Sequence, residues 1–149
     1  MSDALPFKLS ALIFLRDATG RLLMMRRNKA PNLGRWSPVG GKVETARGES
    51  PFECAVRETA EETGYVGGRA TLLGTVAPNP AIQSNRAHFV LLEGVHLGAT
   101  PAPDAHEELE VLVTDPRDAL RAAAAEPATH ALAFLALHRL QAARPELFA

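Results

Sequence analysis

The stretch that most constrains the fold is Ser50-Pro51-Phe52-Glu53, answered further along by Gly64. A serine at the N-cap, a proline at the first helical position and a glutamate at the third form a capping box, and the glycine supplies a C-terminal stop. The spacing therefore predicts a helix over 51–63. At about 100° per residue, Phe52, Ala55, Val56, Thr59, Ala60 and Thr63 share one face, which such a helix is expected to bury. Glu58, Glu61 and Glu62 occupy a separate arc about 100° wide and form one carboxylate surface.

That surface stands out against the charge of the whole chain, which has 149 residues and a net charge of −1. Such a balance excludes the broad cationic face of a non-specific nucleic-acid binder, and no stable nucleic-acid binding is expected. Six of the twelve glutamates nevertheless fall between 44 and 62, answered only by Arg47 and Arg57, so the window carries −4. Like charges three or four residues apart oppose helix formation by about 0.2–0.5 kcal/mol each, and none of Glu58, Glu61 and Glu62 has a Lys or Arg four residues on. A divalent cation relieves this directly. Oxygen ligands without a His or Cys cluster favour Mg²⁺, with Mn²⁺ as second choice, and Mg²⁺ commonly sits between one or two carboxylates and substrate phosphates. A phosphorylated small molecule is the expected substrate class. The bland alternative is a solvated helix face. Gly40-Gly41-Lys42-Val43-Glu44, just ahead of the helix, weighs against it, because glycines let backbone groups approach a metal or phosphate.

Elsewhere the pattern is short strands and helices. Residues 7–15 and 22–25 are apolar runs across the turn Asp17-Ala18-Thr19-Gly20 and read as a hairpin; Trp36–Glu44 reads as short strands around a glycine turn. Val66-Gly67-Gly68-Arg69 is expected to break the chain before strands at 70–77, 87–95 and 108–113. Asp115-Pro116 opens a short helix and 129–142 an Ala/Leu-rich one. With neither repeat nor linker, one α/β domain over 1–149 is the economical reading. A lone cysteine, Cys54, excludes an internal disulfide or Cys-rich zinc site; with no activating His near it in sequence it reads as a spectator. The five histidines show no HxH or HExxH spacing. No segment approaches the ~18 apolar residues of a membrane span, so a cytoplasmic protein without membrane contact is expected.

The string GGKVETARGESPFECAVRETAEETGY, residues 40–65, resembles the signature of the Nudix hydrolases, the MutT-like pyrophosphohydrolases. Arg57 to Tyr65 fills its R-E-hydrophobe-x-E-E-x-G-hydrophobe half, with Glu49 at the usual distance ahead. The Gly41 to Glu49 interval is two residues longer than usual, in the loop 44–48, and Thr59 and Tyr65 replace the usual aliphatics. The resemblance implies an α/β/α sandwich with a mixed sheet, single-domain, as monomer or homodimer. It implies Mg²⁺-dependent cleavage of a nucleoside diphosphate linked to another moiety, foremost a nucleoside triphosphate or its oxidised form, giving monophosphate and pyrophosphate. An ADP-sugar or dinucleoside polyphosphate hydrolase and a non-catalytic nucleotide-sensing module are the alternatives. It further implies that Glu58, Glu61 and Glu62 hold the metal, completed by a carbonyl of Gly40 or Gly41, with Gly41 also against substrate. Arg57 and Glu49 brace the loop against the helix, and Glu58 is the candidate base. Of Arg26 and Arg27, neighbours at a strand end, it favours Arg27 as phosphate clamp. In related proteins a glutamate from the region of Glu107, Glu108 and Glu110 can reach the metal. Trp36 and Phe89 read as core, and 78–86 as a polar loop that could equally read a base edge.

Overall fold

A computed structural model describes residues 7–28, 34, 36–102, 109–126 and 130–149, and within these the side chains of Arg27 and Leu109 stand outside the description. The centre is β1 (Leu9–Asp17), whose residues alternate between two cores. Ala11, Ile13 and Leu15 face one side and Leu12 and Phe14 the other, so the strand is apolar throughout because both of its faces are covered. It turns through Asp17, whose Oδ1 accepts the Thr19 and Arg21 amides at 2.9 and 3.0 Å, into β2 (Leu22–Arg27), as the hairpin reading expected.

Beyond Leu23 the two strands part company. β2 goes on to pair β3 (Trp36–Ser37), while β1 pairs β4 (Val39–Lys42) from Ser10↔Lys42 to Ile13↔Val39. The switch falls at Pro38, which has no amide proton to give to either ladder. The other flank of β1 carries β6 (Arg86–Leu97) in parallel, and β5 (Tyr65–Val76) lies antiparallel outside it. β7 (Leu109–Thr114) lies antiparallel to β2, completing a mixed seven-stranded sheet.

Among the described residues, three helices cover the sheet. On one face lies α1 (Pro51–Thr63), with Cys54 and Ala55 against Ile13, Val39 and Val90. On the other lie α2 (Pro116–Ala125) and α3 (Ala131–Ala143), which bury Ala119, Ala123, Ala136, Leu137 and Leu140 against Phe14, Phe89 and Leu91. The fold is an α/β/α sandwich. Burying each such Leu or Phe contributes about 1.5–3 kcal/mol, and two covered faces let a short chain collect many.

Two expectations need correction. Gly67 and Gly68 do not end a strand: β5 starts at Tyr65 and runs through them, with φ of +74° and +87°. A Cβ on Gly68 would stand 2.9 Å from the Glu93 carbonyl oxygen, so glycine here permits close approach to β6. The second concerns the buried face of α1. Phe52 and Val56, assigned to the core, are 42% and 48% exposed, whereas Cys54 and Glu62 are buried alongside Ala55, Thr59 and Thr63. The helix presents its small residues to β1 and β4 because Ala11 and Gly41 there leave room for close packing and none for a large ring. Trp36 packs against the core beneath α2 and α3, and Phe89 is fully buried, as expected.

Candidate active site

Both ends of α1 match the reading: Ser50 Oγ accepts the Glu53 amide at 3.1 Å, Glu53 Oε2 accepts the Ser50 amide at 2.8 Å, and Gly64 ends the helix at φ +76°. Ahead of it the extra loop residues form a 3-10 turn, Thr45–Arg47. Glu49 closes that turn by accepting the Glu44 amide at 2.8 Å.

Arg57 organises the carboxylates. Its Nε and Nη2 donate to the two oxygens of Glu49 at 2.7 and 3.1 Å, Nη1 donates to Glu58 at 3.0 Å and Glu61 at 3.3 Å, and Nη2 also reaches the Lys42 carbonyl at 3.1 Å. The Glu49 carboxyl is held below its usual range, first by the hydrogen bond from Arg57, and the guanidinium is driven upward in turn by Glu49. No Lys or Arg follows the three glutamates at four residues, as read, but Arg57 stands four residues before Glu61 and offsets part of the repulsion from that side.

The three glutamates are not one solvated surface either. Glu61 is 47% exposed, Glu58 is largely covered, and Glu62 is only 8% exposed. Glu58 lies on the glycine strand: a Cβ built on Gly41 would stand 2.1 Å from its Cδ. Glu62, Gly40 and Gly41 line a cavity of about 280 Å³ together with Met25, Leu132 and His130, at the parting of β1 and β2. Sequence reasoning missed His130, since nothing in its spacing connects it to the helix.

Other assigned residues fall elsewhere. Arg26 pairs with Glu110 at 2.6 Å across β2 and β7 and stands over the Trp36 ring at 5.8 Å, so both charges are engaged away from the glutamate helix. The Arg27 side chain, Glu107 and Glu108 lie outside the described residues. In the loop 78–86 the Asn85 amide is used on its neighbours, Nδ2 donating to Gln83 Oε1 at 3.0 Å and Oδ1 accepting the Lys8 amide at 2.7 Å. Burial, reinforced by Glu49 and Glu58, pushes the Cys54 thiol up to about 12, which makes it the inert spectator anticipated.

The donor set suits a hard dication: carboxylate oxygens and glycine carbonyls, with the Glu58 carboxylate seated where any Gly41 side chain would stand. Among the described residues no three His, Cys, Asp or Glu side chains converge on one point. One or two of these carboxylates, with substrate phosphates, are what Mg²⁺ ordinarily takes.

Fold and site together define a class, a sandwich that presses a carboxylate-bearing helix onto a glycine strand beside a small-molecule cavity. The comparisons agree. A family model described as NUDIX domain matches residues 6–135, and the chain belongs to the Nudix hydrolase family, as a hydrolase acting on phosphoric anhydrides. Among curated proteins it is 30% identical over 140 residues to the CMP-5'-(N-acetyl-N-hydroxy-3-aminopropyl)phosphonate hydrolase of Streptomyces rubellomurinus, covering 92% of this chain and 67% of that one. A crystal structure of an ADP compounds hydrolase superposes with TM-score 0.79 at 19% identity, over 93% of this chain and 74% of that one. A MutT NUDIX hydrolase from Burkholderia pseudomallei superposes with TM-score 0.65 at 26% identity, over 89% and 97%. Among the described residues no helix is long and apolar enough to cross a membrane.

Proposed function

We propose that the chain is a Mg²⁺-dependent pyrophosphohydrolase cleaving a nucleoside diphosphate linked to another moiety, a nucleoside triphosphate or its oxidised form in the first instance. The observation that carries this is the contact of Glu58 with Gly41. It brings a carboxylate held by Arg57 onto a strand that, with Glu62, walls the cavity. Glu58, Glu61 and Glu62 would hold the dication, with a carbonyl of Gly40 or Gly41. A bound dication screens the diphosphate and stabilises charge developing on its oxygens. Glu58 accepts the proton of the attacking water, whose oxygen bonds to phosphorus as the P–O–P bridge breaks on its far side. Arg57 fixes where that carboxylate points, and Arg27 remains the proposed phosphate clamp.

The names of two relatives favour a second reading. One names a CMP phosphonate and the other ADP compounds, which supports a hydrolase of nucleotide conjugates such as ADP-sugars. Release of nucleoside mono- or diphosphate, read by anion-exchange chromatography over a panel of nucleoside triphosphates, ADP-sugars and dinucleoside polyphosphates with Mg²⁺, Mn²⁺ or EDTA, tests both. Release from triphosphates that EDTA abolishes is expected. Metal-dependent turnover confined to conjugates transfers the assignment to the second reading, and no turnover on any member sinks both. Glu62→Gln should abolish the activity while the protein unfolds at an unchanged temperature.

A further inference from the structure

The cavity beside the glutamate helix takes one polar side chain from the opposite helical layer. His130 is the N-cap of α3, and its Nδ1 accepts the Ala133 amide at 3.2 Å. A ring nitrogen that accepts carries no proton, so the cap assigns the imidazole proton to Nε2. The cap thus occupies Nδ1 and leaves Nε2 as the ring's N–H donor, and His130 lines the cavity.

The other polar groups of that wall are complementary. Ser37 Oγ donates to the Pro38 carbonyl at 2.8 Å and Ser10 Oγ to the Arg86 carbonyl at 3.4 Å, which leaves their lone pairs for an occupant. Leu12, Met25 and Leu132 supply apolar surface. A bare phosphate suits this chamber poorly, since the described residues that line it include no Arg or Lys to balance its charge. A planar heterocycle suits it well, with apolar faces, ring or carbonyl acceptors, and amino or imino donors. A cavity of about 280 Å³ lies at the small end of ligand sites and fits one such ring with its sugar.

We propose that His130 is a specificity-determining residue of this enzyme, donating Nε2–H to a carbonyl oxygen or ring nitrogen of the nucleobase seated in the cavity while its Nδ1 caps α3. This rests on the reading of the substrate as a nucleotide. The cap and the substrate contact use opposite nitrogens, so one substitution separates them. Asparagine is among the strongest N-caps but is too short to reach as far as Nε2. His130→Asn should leave the urea midpoint unchanged and raise KM for the best triphosphate about 10-fold, with kcat within about 2-fold of the parent. An unchanged KM in His130→Asn reduces the residue to a helix cap and overturns the proposal.

An activity-independent measurement accompanies it. Protein labelled with ¹⁵N-histidine, kept in EDTA, is titrated with GMP, CMP, AMP and UMP, and the His130 ring is followed in long-range ¹H–¹⁵N spectra. The expected result is an Nε2–H tautomer whose Nε2 resonance shifts saturably with at least one nucleotide. No shift with any of the four overturns the proposal even if the enzyme hydrolyses triphosphates. A saturable shift in a protein that releases no pyrophosphate upholds it and removes the pyrophosphohydrolase reading instead.

Discussion

Arg57 and Glu49 meet as two forks, Nε on Oε1 at 2.7 Å and Nη2 on Oε2 at 3.1 Å, and tie the first half of α1 to the loop that precedes it. Glu49 also accepts the Glu44 amide, while Arg57 also holds Glu58, Glu61 and the Lys42 carbonyl. One guanidinium therefore sets the loop, the glycine strand and two of the three glutamates relative to one another. Lysine keeps the charge but cannot make parallel hydrogen bonds to both oxygens while reaching the others. Arg57→Lys should lower stability to urea by about 1–3 kcal/mol and kcat/KM by about 10-fold or more. A variant with parental kinetics would mean that the glutamates find their positions without Arg57.

Gly41 offers a sharper separation of activity from stability. An alanine Cβ there would meet Cδ, Oε1 and Cγ of Glu58 within 2.6 Å, which are the outer atoms of a flexible side chain rather than backbone. The carboxylate can swing away and the β1–β4 ladder can stay. Gly41→Ala should therefore cost about 1 kcal/mol or less in urea unfolding yet lower turnover about 100-fold. Full activity in a folded Gly41→Ala protein would show that the position of Glu58 on the strand is not needed for catalysis.

These two residues also mark what can be read from a linear string. The limits of α1 were legible because capping is local: Ser50, Pro51, Glu53 and Gly64 act on backbone groups a few residues away. Its burial was not, because a helical wheel ranks residues by polarity, whereas packing ranks them by what stands opposite. Gly41 and Ala11 stand opposite, so small residues and Glu62 turn inward while Phe52 and Val56 face water. Polarity alone could not place Glu62 in a cavity wall. The Arg57 hub was visible in part, its pairing with Glu49 through the family resemblance and its spacing to Glu61 as a helical neighbour relation, but the geometry of the fork depends on how the 3-10 turn folds back. His130 comes from the opposite helical layer and reaches the site only because β1 and β2 part at Pro38.

The Cys54 thiol should be chemically silent in the folded protein. It is fully buried and its pKa is pushed up to about 12, first by burial and then by Glu49 and Glu58, so at pH 8 almost none is thiolate. Iodoacetamide at pH 8 should leave native protein unmodified over hours and label it stoichiometrically in denaturant, as read by intact mass. Rapid labelling of native protein would show that α1 opens away from Val39 and the glycine strand.

Far from the site, Glu93 joins three elements and predicts a pH dependence. Its carboxylate accepts from Arg16 on β1 at 2.7 Å and from Arg144, just past α3, at 2.6 Å, and these contacts hold its pKa below the ordinary 4.5. Arg144 leads among the causes, ahead of the opposing effect of burial, with Arg16 following. A carboxyl whose folded pKa is depressed stabilises fully above its unfolded value and loses that contribution as pH falls through the folded one. The Glu93 contribution should therefore be constant from neutral pH down to about 5 and fade below 4.5. Glu93→Gln should unfold in less urea than the parent at pH 7, with the gap narrowing as the pH is lowered below 4.5 toward 3. A gap independent of pH over that range would mean that the glutamate acts through its shape rather than its charge.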